Sequence, residues 1–264
     1  MKNPKMKKIL IGLVALLLIV AVVVLIGRGC SGGKKESSAA GEEKRLPTTE
    51  SIVKPPQQLP AAMTISGEVT AEGETASVAF PCDIVDYEVM LEALEAYSGE
   101  FVEDGSGREI KNIAAITLYN YGDFALEYMK LQLHCGKETL TFEAYYIPAG
   151  ERVILQETGA KTMPKGAVES IDVVTIQGDI MDLCEDKLRF TEKNGDLTVM
   201  NLTKETMETI CVYYKEYSEE KGMYVGGVSY VANISKLKAG ETTTVDTEHY
   251  SSDSCRLVMV QICN

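Results

Sequence analysis

The chain has 264 residues, 26 basic and 39 acidic, for a formal net charge of −13, with no Trp and only two His. Seven basic and no acidic residues fall within the first 35 positions, leaving 19 basic against 39 acidic for the rest. So acidic a body repels a phosphate backbone, which excludes nucleic acid as a partner, and it opposes docking on anionic lipid headgroups.

Residues 9–27 (Ile9 to Gly27) form an uninterrupted apolar run without a charge. At 1.5 Å per residue, about 19 helical residues reach roughly 28 Å, the thickness of a bilayer's hydrocarbon core. A buried helix of a soluble domain would show a polar face, and this run has none. Lys2, Lys5, Lys7 and Lys8 precede the run with no acid among them. That bias predicts a cytoplasmic N-terminus and an extracellular C-terminal body. A cleaved signal peptide has an apolar region of about 7–15 residues ending in small side chains. Here Arg28 stands at the cleavage position, and Gly27-Arg28-Gly29 before Cys30 lacks a lipobox. The expectation is a single-pass cell-membrane anchor over residues 1–29.

Residues 30–60 are rich in Gly, Ser, Lys and Glu, with Pro47, Pro55, Pro56 and Pro60, and read as a disordered stalk. The remaining length suits two modest domains, expected at 61–163 and 164–264. In the first, Ile65, Val69, Val78 and Phe80 alternate with polar residues, as strands require. From Asp83 the period changes: Tyr87, Leu91, Leu94 and Tyr97 recur at i, i+4, i+7 and i+10, which predicts a short helix at about 83–97. Asp83 would cap it and Ser98-Gly99 would end it. Residues 103–107 (Glu-Asp-Gly-Ser-Gly) then read as a hairpin turn, without the spaced carboxylates of a calcium loop.

An internal repeat follows. Ile116-Thr-Leu-Tyr-Asn120 aligns with Leu197-Thr-Val-Met-Asn201, Glu127 with Glu208, and Leu131 with Val212. Farther on, Ile147-Pro-Ala-Gly-Glu151 aligns with Leu237-Lys-Ala-Gly-Glu241, so the spacing grows from 81 to 90 residues. About nine residues are therefore inserted in the second copy, between about Glu216 and Gly227. In each copy a strand ends in Asn, whose side chain can bond nearby backbone and start a turn. Met129, Leu131 and Leu133 alternate with Lys130 and Gln132, and Ile210, Val212 and Tyr214 do the same work in copy two. Glu192-Lys-Asn-Gly195 adds a hairpin signal. Short strands with turns every 8–12 residues predict two tandem antiparallel β-sandwiches.

This strand–Asn–strand pattern with its Ala-Gly-Glu turn is similar to FxLYD-type immunoglobulin-like modules of membrane-anchored extracytoplasmic proteins in Gram-positive bacteria. The similarity covers residues 116–155 and 197–245, and the Phe-x-Leu-Tyr-Asp string itself is absent. It implies an Ig-like fold and an envelope location, and brings no catalytic residues with it.

Candidate chemistry is sparse. His134 closes a strand, and His249 lies six residues before Cys255 in a context that matches no protease signature. There is no HExxH, nucleophile elbow or phosphate loop. Gly226-Gly227 reads as a place where the chain passes tightly over a sheet edge. No enzyme activity, cofactor or metal is expected. Tyr is abundant in the second copy, where Tyr213, Tyr217, Tyr224 and Tyr230 serve either as packing or as a recognition surface. Seven Cys occur without a CxxC pair. Strand parity brings Cys211 to one outer face with Cys255 or Cys263, either as a disulfide or as free thiols packed like small apolar groups. These features together predict a non-enzymatic envelope protein that presents two modules to an unknown protein partner. The alternative is an accessory or sensing ectodomain of a membrane enzyme or transporter complex.

Overall fold

The computed structural model describes residues 46–54, 63–68, 77–193 and 195–263. The apolar run at 9–27 and most of the stretch read as a stalk lie outside the described residues. The described part is mostly β, with no α-helix and no helix long and apolar enough to cross a membrane. Its strands are β1 (Thr48–Ile52), β2 (Met63–Ser66), β3 (Cys82–Ile84), β4 (Val89–Phe101), β5 (Arg108–Asn120), β6 (Ala125–Cys135), β7 (Glu138–Ile147) and β8 (Arg152–Gln156). They continue as β9 (Ser170–Asp179), β10 (Leu188–Lys193), β11 (Asp196–Asn201), β12 (Met207–Ser218), β13 (Met223–Val225), β14 (Tyr230–Leu237), β15 (Thr242–Thr244) and β16 (Cys255–Cys263).

The same pairing scheme occurs twice. In the first half β5 lies between β4 and β8, while β6 lies between β7 and β9. In the second half β11 lies between β10 and β15, while β12 lies between β14 and β16. Asn120 and Asn201 hold the same place in each half. Asn120 Nδ2 donates to the carbonyls of Phe124, Ile147 and Pro148, at 2.9, 3.2 and 3.1 Å. Asn201 Nδ2 donates to Glu205 and Leu237, at 2.8 and 3.1 Å. Their backbone N–H groups bond Glu151 O and Glu241 O, each at 3.0 Å. One buried amide in each half thus ties a strand end to the turn after the third strand, satisfying carbonyls that would otherwise be buried bare.

Each half also has its own core. Leu118, Met129, Leu131, Phe142, Leu155 and Ile171 bring the two sheets of the first half together. Val199, Ile210, Val212, Tyr214, Ile234 and Val260 do so in the second. Alternate residues of β6 and β12 supply these cores, as the period of two demands.

The helix expected at 83–97 is absent. β3 leads through one 3₁₀ turn (Val85–Tyr87) into β4, which pairs with β5 along its whole length. Two bulges break that ladder, between Leu91 and Ala93 and between Tyr97 and Gly99. The first adds a residue to β4 and the second adds one to β5, and an added residue flips the inward parity of the strand that carries it. Leu91 and Leu94 therefore stand three apart on one face of a strand, a spacing that imitates a helix.

Two placements differ from the boundaries expected along the chain. β1 lies within the Pro-rich stretch read as stalk, yet all five of its residues pair with β14. β9, from the stretch read as the second domain, pairs with β6 and β2 of the first half.

The halves are joined by β13, which falls within the stretch where nine extra residues were located. It pairs antiparallel with the end of β12 and parallel with β8, extending one nine-stranded sheet across both halves. Tyr224 of β13 then packs in the first core, and Val102 of the β4–β5 turn packs in the second.

Candidate functional site

Glu103, Lys215 and Glu216, among the described residues, are ionisable groups shifted by burial close to where the halves meet. Gly226, with φ +76°, and Gly227 bring the segment after β13 against the first half. A Cβ on Gly227 would stand 1.7 Å from Glu143 O, and one on Gly226 would stand 1.9 Å from a Val102 methyl. Only glycine permits such an approach. Gly227 O accepts from Tyr145 N at 2.9 Å, and Ser229 Oγ donates to Tyr145 O at 2.9 Å. The Gly-Gly pair thus covers the edge of β7.

Two charges sit on either side of the Gly227 peptide. Glu103 Oε1 accepts from Gly227 N at 2.7 Å and from Gln156 N at 3.1 Å. Lys215 is fully buried, and its Nζ donates to the carbonyls of Gly227 and Val228 at 2.9 and 2.5 Å. Burial pushes the Glu103 carboxyl above the usual carboxylate range, opposed by the Gly227 N–H and the charge of Lys215. Burial likewise pulls the Lys215 ammonium well below its usual range, opposed by Glu103 and Glu216. Gln156, also buried, completes the knot by donating to Glu100 O at 2.7 Å and accepting from Val102 N at 3.0 Å.

Outward from this pair lies an open cleft of about 480 Å³ between the Asp104–Gly105 turn, β1 and the loop before β16. Glu50 of β1 accepts from the Tyr214 hydroxyl, from Glu248 N at 2.5 Å and from His249 Nδ1 at 3.1 Å. His249 Nε2 faces Gly105 O across the junction at 3.3 Å, so both ring nitrogens meet oxygen acceptors, one of them in the first half. The imidazole also stacks on Tyr230 at 4.5 Å, and Tyr230 stacks on Tyr214 at 5.5 Å. Glu216 is raised to about 7, chiefly by burial and then by the charge of Glu100, against the opposing charges of His249 and Lys215.

The polar groups of this cleft mostly engage one another, Glu50 with Tyr214, Glu248 and His249 within the second half and its strand β1, and His249 with Gly105 across the junction. The His249 ring does not meet the Cys255 thiol; that thiol donates to His249 O at 3.4 Å. Burial raises the Cys255 thiol to about 11, the opposite of what a nucleophile needs. Among the described residues no three His, Cys, Asp or Glu side chains are grouped to hold a metal ion. His134 instead meets Asp172 at 2.8 Å on the far side of the first half.

The four tyrosines considered for a recognition surface do not make one. Tyr224 and Tyr230 are buried, 6% and 2% exposed, because β13 and β14 turn them into the two cores. Tyr213 and Tyr217 are half-buried and pack against the first core, Tyr213 beside Tyr146 and Tyr217 edge-on to Tyr224.

All six described cysteines carry free thiols. Cys255 is excluded from the outer face because a bulge between Tyr213 and Tyr214 shifts the β12–β16 register and turns it into the core. Cys211 and Cys263 do share a face, diagonally, since Cys211 pairs with Gln261 and Cys263 with Thr209. The Cys211 thiol is raised by burial and by Cys263 beside it.

Glu103 and Lys215 went unrecognised in the sequence, one being part of an apparent turn and the other an apparent surface position. The doubled glycine at 226–227 was the one signal of their surroundings. No protein-family model, curated protein or solved structure matches the chain.

Proposed function

We propose that the chain is a non-enzymatic envelope protein, anchored in the cell membrane through residues 9–27 with an extracellular body. That body comprises two tandem Ig-like β-sandwiches, similar to FxLYD-type modules, held as one rigid arm for contact with another protein. The observation that carries this reading is β13. A string of independent modules needs no strand shared between them, whereas a strand inserted in one copy and paired with the other fixes their relative geometry. A fixed geometry serves a protein that must present a surface at a set distance and angle. The inward-facing polar groups at the junction support fastening over catalysis.

Protease added to intact protoplasts should degrade the body, and protection from it would overturn the outward placement. Crosslinking on intact cells should then join the body to a membrane or envelope protein. A body that is fully accessible yet recovered only uncrosslinked would overturn the contact role.

The cleft favours a second reading, a sensing or accessory ectodomain. His249 lines the cleft, and its charge opposes the burial that raises Glu216 to about 7. On this reading the crosslinked partner is a transporter or membrane enzyme whose activity changes when Glu216 is replaced by Gln.

A further inference from the structure

The two halves use one scaffold, so each serves as a control for the other. At the end of the first half, residues 85–88, 121–124 and 148–151 gather around the side chain of Phe124. Phe124 is 61% exposed, Val85 67% and Tyr87 38%, with Ile180 at 74% close by. Two adjoining grooves share Phe124. One, about 540 Å³, is lined by Val85, Tyr87, Glu88, Gly122 and Ile176, and the other, about 370 Å³, by Pro148, Ile180, Met181 and Val258.

The fold does not require this surface. The backbone carbonyl of residue 124 accepts from Asn120 Nδ2, as that of residue 205 accepts from Asn201 Nδ2. The side chain is free to vary, and at position 205 it is Glu. The equivalent loops of the second half, 202–205 and 238–241, also contain Lys204 and Lys238. The three loops of the first half carry Asp86, Glu88, Asp123 and Glu151 and no Lys or Arg. They are also held in place: Tyr121 N donates to Glu88 O at 3.0 Å and the Tyr121 hydroxyl to Asp83 at 2.9 Å.

Exposed apolar side chains grouped in grooves mark interaction surfaces. A uniformly acidic rim selects a basic partner by charge complementarity, while repelling both anionic lipid and a second copy of the same acidic end. We infer that the Phe124 end of the first half docks a cationic amphipathic segment of a partner protein, with apolar side chains in the two grooves and Lys or Arg against the rim. This names the partner's chemistry on the contact reading above, but the binding itself does not depend on where the body lies.

The test uses the full chain in discs of zwitterionic lipid, with empty discs as reference and a fluorescent peptide built of alternating Lys and Leu as probe. Anisotropy should show saturable binding that weakens with salt. Phe124→Glu, which copies the second half, should weaken it about tenfold, the effect of losing a central aromatic anchor. The urea midpoint should not move, because the side chain is mostly in water. Asp86→Asn/Asp123→Asn should weaken binding and flatten its salt dependence. Glu in place of Lys in the probe should abolish binding. Four results would overturn the inference: no saturable binding, equal binding by Phe124→Glu, a Phe124-dependent dimer in place of peptide binding, or Phe124-dependent binding of anionic vesicles. Topology and crosslinking on cells are read separately, so a failure of the contact role and a failure of this site are distinguishable.

Discussion

Replacing Lys215 by Met would keep most of the side-chain volume and leave Glu103 facing the Gly227 N–H without its cation. An uncompensated buried charge costs about 3–5 kcal/mol, and the lower end applies because Glu103 is not wholly sealed from water. The carbonyls of Gly227 and Val228 also lose a donor, at about 1–3 kcal/mol for a group left unsatisfied. Only the charge contribution depends on pH. In the folded chain burial raises the Glu103 carboxyl above its unfolded value. The folded state then holds a proton over a pH interval in which the unfolded state has already lost it, and stability falls as pH rises across that interval. In the native chain the charge of Lys215 limits that rise, and Lys215 itself, lowered by burial, has the opposite slope only at higher pH, between its folded and unfolded values. Urea unfolding followed by Tyr fluorescence should therefore show the Lys215→Met chain losing about 3 kcal/mol between about pH 5 and pH 8. The double variant Glu103→Gln/Lys215→Met should be nearly flat over that range. Stability of the single variant that is independent of pH, or that rises with pH, would refute the account of the junction as a mutually compensated buried pair.

Gly227→Ala should separate the halves, since its Cβ would meet Glu143 O at 1.7 Å; the expected result is a loss of about 2–3 kcal/mol and new proteolytic cuts between residues 218 and 229. Asn201→Ala should cost about 2–4 kcal/mol by leaving the Glu205 and Leu237 carbonyls without a donor, seen as a lowered urea midpoint. Alkylation of the native protein should label Cys263 first and Cys211 more slowly, leaving Cys82, Cys135 and Cys255 unlabelled, as mass spectrometry of the peptides would show. Mild oxidation should crosslink Cys211 to Cys263 and leave Cys255 out, because Cys255 faces the opposite side of β16.

What the sequence made legible was local. Alternation in β6 and β12 named the inward faces, the two Asn residues marked matching strand ends, and the growth in repeat spacing located an insertion where β13 lies. What it hid was long-range. Nothing near Glu50 says that β1 pairs with a strand of the distant C-terminal half, and Pro47 and Pro55 on either side argue for a linker. The bulge between Leu91 and Ala93 disguised a strand as a helix, since an inserted residue breaks the period on which such a reading depends. Lys215 follows Tyr214 on the opposite face of β12, and it is buried because the first half and residues 227–228 cover that face, a long-range contact that alternation within β12 does not reveal. The Tyr content was visible, but that Tyr224 does not face water is decided by the pairing of β13 with β8 of the other half.

The strand that joins the halves also sets an order in time. The ribosome completes β8 well before it reaches Met223–Val225, so one side of β8 waits without its eventual neighbour. An unpaired strand edge is a template for any other extended chain nearby. β1 waits longer still, being made before the other described strands and pairing with one near the end. A nascent chain of this protein is therefore most open to wrong partners while its first half is finished and its second is not. A stall or truncation before residue 225 would yield a half-molecule with an exposed edge on β8, prone to pair with its own kind.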